Sequence, residues 1–205
     1  MRSALVLCLA ALSAAAADYS LDKAGAPPPE VAPAIRETLA TDGSKIVGPK
    51  GVVAEIWWRK ELPAGKNSES NVSLSDVTHG TLMGVVRFPE KALDRRGQVV
   101  PPGLYTMRLS FFPVDGAHQG VAPTRDFVLL TPAADDKDPN TTPDYHQLVT
   151  MSKKVTGTNH PAILNLWKAD AAGPDALKQE GEDWVLYSTV GGKPVALIVV
   201  GVHAG

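Results

Sequence analysis

Thiol chemistry has almost no place in this chain: Cys8 is the single cysteine among 205 residues. It sits in the apolar stretch Ala4 to Leu12, with no small residue just before it, so it does not read as a lipidation site. Once that stretch is removed, no disulfide, thiol nucleophile or cysteine metal ligand remains. An excess of either charge is missing too. Lys and Arg number 20 against 22 Asp and Glu, and no basic stripe forms, which argues against nucleic acid or an anionic membrane surface as partner. No later apolar run reaches the roughly 20 residues of a membrane-spanning helix. The longest, Val195 to Val202, reads as a buried strand. Equally absent are HxH, HExxH, a GxSxG elbow and a glycine-rich phosphate loop. No cofactor is therefore expected. Ser20-Leu21-Asp22-Lys23 fits SxxK, but no SDN or KTG follows, and it counts as coincidence.

What the chain does have begins at its N-terminus. Arg2, a short apolar core and Ala15-Ala16-Ala17 make an export signal, with cleavage expected near Ala17, before Asp18. The expected location is periplasmic or secreted. Export without disulfides suits a bacterial periplasm, where Asn71-Val-Ser and Asn140-Thr-Thr would be chance matches to the glycosylation pattern. The expected division is a signal peptide over 1–17, a stiff Pro-rich leader over 18–30 that packs poorly, and one domain over 31–205.

Val31, Ile35 and Leu39 recur at helical spacing before Gly43, predicting a short helix. From there the period is two. Val52, Ala54, Ile56 and Trp58 share a face, as do Leu82, Gly84, Val86 and Phe88. After the turn Pro101-Pro102-Gly103, Tyr105, Met107, Leu109 and Phe111 alternate with Thr106, Arg108 and Ser110. Such alternation predicts one dry face and one wet face. Phe127 to Leu130 is apolar on both faces and should lie centrally. Ala162 to Trp167 is a further strand, and Trp184–Thr189 and Val195–Val202 flank a Gly191-Gly192 hairpin turn. One helix interrupts, capped by Thr142, with Pro143 at its first position, Lys153 and Lys154 in its last turn, and Gly157 as its stop. About seven strands with short connections predict a mostly β fold. The expected form is an antiparallel β-sandwich, Ig-like or jelly-roll-like, with one or two short helices; a small closed barrel is the rival.

Candidate site residues follow from loops and exposed aromatics. Pro113 to Asp126 is longer than a hairpin connector needs, so His118, Arg125 and Asp126 are binding candidates, against a plain solvated loop. Trp57 shares a face with Glu55 and Arg59. It is either a contact surface or covered by the N-terminal helix. His79, His118 and His160 fall at loops or strand ends and would have to converge to hold a metal; His146 reads as solvated and His203 as terminal. The acidic run 133–140 lacks the glycine and distal glutamate of a calcium loop and reads as solvated.

The stretch "PPGLYTMRLSFFPVDGAHQGVAPTRDFVLLTPAADDKDP", with "KVTGTNHPAILNLW" and the terminal hairpin, resembles a group of exported bacterial β-domain proteins that share PxGxY, DGxHxG and APxRDFxLL elements. The resemblance runs from about Leu39 to the end. It implies an exported β domain and no catalytic residue, since the group carries no established activity. The leading expectation is a non-enzymatic binding module for an unknown protein, glycan or envelope component. The alternatives are a metal-assisted hydrolase built on loop histidines and a structural envelope protein that associates through Trp57.

Overall fold

The computed structural model describes residues 19–114 and 124–201. Strands dominate, in the order β1 (Ser20–Gly25), β2 (Gly43–Gly48), β3 (Gly51–Trp58), β4 (Leu82–Phe88), β5 (Ala92–Leu93), β6 (Val99–Val100), β7 (Gly103–Phe111), β8 (Asp126–Pro132), β9 (Ile163–Lys168), β10 (Ala176–Glu180), β11 (Asp183–Val190) and β12 (Lys193–Val200). Helix α1 (Pro33–Arg36) precedes β2, and α2 (Tyr145–Thr156) lies between β8 and β9.

Ten strands form one sheet in the order β1-β2-β3-β4-β7-β8-β9-β12-β11-β10, and every pairing is antiparallel. The pairing runs on without dividing into two facing sheets. The two end strands instead approach each other, so the sheet is nearly barrel-like. Across that seam Tyr19 lies against Trp184 with ring centroids 5.1 Å apart, and Asp175 accepts from both Ser44 and Ser188. The mostly β, antiparallel expectation stands.

Alternation decides what fills the interior. Ala54, Ile56 and Trp58 of β3 join Tyr105, Met107, Leu109 and Phe111 of β7 in one buried cluster, to which Leu186 and Leu197 are added from the far strands. Strand β4 departs from the simple pattern. Its register with β7 shifts between Leu82 and Gly84, so Met83 enters the interior and Leu82 turns outward. A bulge of this kind exchanges faces at one point of a period-two pattern. Strand β8 lies centrally, with Val128 and Leu130 inward and Phe127 and Leu129 under α2.

Three expectations about the outer surface are corrected. The predicted helix over Val31 to Leu39 shrinks to the four residues of α1: Pro33 starts it, and after Arg36 the chain passes into tighter turns, with Thr38 N–H bonded to the Ile35 carbonyl and Leu39 N–H to that of Arg36. Within the stretch read as leader, Ser20–Gly25 pairs with β2 as β1. The face of β7 expected to be wet is dry: Thr106, Arg108 and Ser110 are all buried. What covers it is the acidic run itself, whose Asp136 is buried against Arg108.

Helix α2 meets its sequence signals with one change. Asp144 caps it, rather than Thr142, in a reciprocal capping box with Gln147. Gly157 closes it in the left-handed region at φ 65°. Leu148, Ser152 and Val155 face the sheet.

Candidate functional site

Residues 133–144 leave β8 and cross the outer face of β7 before entering α2. An arginine that alternation expects in water holds them there. Arg108 Nε and a terminal nitrogen donate to the two oxygens of Asp136 at 2.6 and 2.7 Å. Its remaining donors go to the carbonyls of Gly80 at 2.8 Å, Thr141 at 2.6 Å and Asp138 at 2.7 Å. A guanidinium has five N–H groups, so none is left for a ligand. Asp136 also accepts from Thr106 at 2.6 Å. The pair is buried, where an ion pair persists only if such bonds satisfy both partners.

Arg59 braces the same segment further along. It donates to the Pro139 carbonyl at 2.8 Å and to Asn140 Oδ1 at 3.4 Å, while its Nε has no partner among the described residues. Burial, and then the neighbouring Arg108 charge, lower its guanidinium from the ordinary value. With its crossing path fixed at these points, the segment stands away from α2 and leaves an open groove of about 940 Å³. Asp135, Asp138, Asn140 and Thr142 line one side; His146, Gln147 and Thr150 line the other. These side chains are exposed. Asp135 is paired to Lys154 at 2.8 Å. The lining therefore offers amide, hydroxyl, carboxylate and imidazole groups, suited to multiple hydrogen bonds with a polar ligand.

The residues singled out from sequence occupy other positions. Asp126 is fully buried and accepts from the backbone N–H groups of Ser73 at 2.7 Å and Leu74 at 2.9 Å. Arg125 donates to the carbonyls of Phe112 at 2.7 Å and Ser70 at 2.6 Å, and to Glu69 at 3.0 Å. Together they fasten the long β3–β4 connection over one end of the sheet. Leu74 and Val77 of that connection enter the main core as a plug, tied from within by Asn67. His118 lies outside the described residues. Trp57 is 1% exposed beneath Val31, Ile35 and Leu39, and its Nε1 donates to the Gly25 carbonyl at 2.8 Å. The covering reading holds for Trp57, and neither ring face is open to a partner.

The proposed metal ligands are apart in character. His79 is half-buried; its Nε2 meets Ser110 Oγ at 3.0 Å and its ring stands 5.9 Å from that of Phe111. Burial lowers its pKa, against the opposing pull of Glu69, the Pro143 carbonyl and Asp144. His160 is exposed in the turn after α2, its backbone held by Thr156 and Thr158. Among the described residues no group of three His, Cys, Asp or Glu side chains is placed to hold a metal ion. Sequence reasoning passed over Arg108, Asp136 and the groove. The one signal was a lone arginine in the middle of the cleanest alternating strand. Set against protein-family models, curated proteins and solved structures, the chain matches none of them.

Proposed function

We propose that the protein is an exported, non-enzymatic binding module, periplasmic or secreted, which takes a glycan-bearing envelope component in the groove between residues 135–143 and α2. One observation carries this reading: the groove's outer wall is fixed by an arginine whose donors are all satisfied within the protein. A wall held in advance lowers the ordering cost of binding. Asn140, Thr142, Gln147 and Thr150 in the groove lining can hydrogen-bond the hydroxyls of a glycan, and Pro143 and Met151 beside them offer apolar surface to a sugar ring face. The buried polar groups Asp126, Asp136 and Ser110 are engaged within the protein, by the Ser73 and Leu74 amides, by Arg108 and by His79. The likeness of Pro101–Pro139 to exported bacterial β domains supports the compartment, and a sandwich-like or barrel-like scaffold with rim loops suits a binding role.

Titration of the isotope-labelled protein with soluble peptidoglycan fragments, followed by amide NMR, tests the reading. Shifts should concentrate in residues 135–151 and saturate, with the fragments recovered unchanged. No shift, or cleavage of the fragments, contradicts it.

A further inference from the structure

The two ends of the nearly closed sheet are unlike. The end at the β3–β4 connection is plugged by Leu74 and Val77. The opposite end, at the β2–β3 turn, retains a hollow of about 590 Å³. Tyr19, Val52, Val53 and Ala92 line it, and all are half-buried. Tyr19, Val53 and Ala92 also pack against the main core, so the floor of this half-open hollow borders the apolar interior. Gly48 lies at its wall, where a Cβ would stand 2.7 Å from the Tyr19 ring and 3.0 Å from Val53. Its size falls within the range of small-molecule sites.

The rim has a definite charge. Lys50 and Lys91 are exposed beside the hollow, and Glu90 is the one acid that lines it. Among the described residues neither lysine forms an ion pair. In a chain of net charge −2, two unpaired cations at an apolar mouth are complementary to one kind of molecule: an apolar tail with an anionic head.

We propose that this hollow binds a free long-chain carboxylate. Its tail lies against Tyr19, Val52, Val53 and Ala92, and its head group lies between Lys50 and Lys91. The site is separate from the α2 groove and does not depend on what that groove takes.

Trp184, whose ring lies tilted against that of Tyr19 across the seam, supplies the readout. Protein purified from the exported fraction is titrated with 12-bromododecanoate, whose bromine quenches tryptophan at short range, with unbrominated dodecanoate as competitor. Saturable quenching, reversed by the competitor, is expected. The pair K50E/K91E should weaken the carboxylate roughly tenfold while leaving 12-bromododecanol unchanged. Ala92→Trp, which fills the mouth, should abolish both. No saturable quenching up to about 1 mM overturns the proposal. So does full binding in a folded Ala92→Trp protein, or equal weakening of alcohol and carboxylate in K50E/K91E. The last variant changes exposed residues only, which keeps the test readable if Ala92→Trp fails to fold.

Discussion

At the residue scale, Arg108 and Asp136 exert the strongest local control. Removing one member of a buried pair leaves an uncompensated charge, at a cost of about 3 to 5 kcal/mol. Asp136→Ala should lose that much in urea denaturation. Arg108→Met combined with Asp136→Leu should be less destabilised than Asp136→Ala, because no buried charge then remains, with a residual loss from the Gly80, Thr141 and Asp138 carbonyls left without their donor. A single variant as stable as the wild type would remove the pair from the account. Asp126 makes a parallel case, held by backbone amides. Asp126→Ala leaves the Ser73 and Leu74 amides without acceptors, at about 1 to 3 kcal/mol each. Its thermal midpoint should fall by several degrees, whereas a binding residue would leave it unchanged. His79 adds pH dependence. Its folded pKa lies below the ordinary 6.5, so the neutral imidazole is the form the fold prefers. Stability is complete above 6.5 and falls as pH drops from there toward the folded value. Glu69 and Asp144 face the ring and temper this loss. His79→Gln should flatten the stability profile between pH 7 and 5; an unchanged profile would place the titration elsewhere.

At the element scale, α2 and the segment before it form one working unit. The Asp144 capping box sets where the helix starts, and so where His146 and Gln147 meet the groove. Asp144→Ala should lower stability by about 1 kcal/mol and weaken any groove ligand with it; circular dichroism and the same NMR titration check both. Much at this scale was legible. The alternation in β7, the central place of β8, the Gly191-Gly192 turn and the Gly157 stop all follow from side-chain period and backbone freedom. Other elements left no such trace. β1 and β10 are polar edge strands, SLDKAG and ALKQE, whose pairing comes from neighbours and not from an apolar face. The bulge at Leu82–Gly84 is set by pairing with β7. The dry outer face of β7 was illegible for a similar reason: Arg108 meets Asp136 only after the chain has made another strand and returned.

At the scale of the whole molecule, the sheet is held at its seam by side chains and not by a continuous ladder. Tyr19–Trp184 and the Ser44–Asp175–Ser188 cluster join ends that no sequence pattern links. Arg125 and Asp126, two of the three candidates from the 113–126 loop, fasten a plug at one end. The groove lies beside the nearly closed sheet, and the hollow at its other end. A groove used for binding should therefore be rigid before any ligand arrives. Backbone relaxation of residues 137–143 measures this directly. The account predicts order parameters near the rigid value of about 0.85 in the wild type, falling in Asp136→Asn while β11 and β12 stay unchanged. Values below about 0.6 in the wild type would show a free loop and contradict a preformed site.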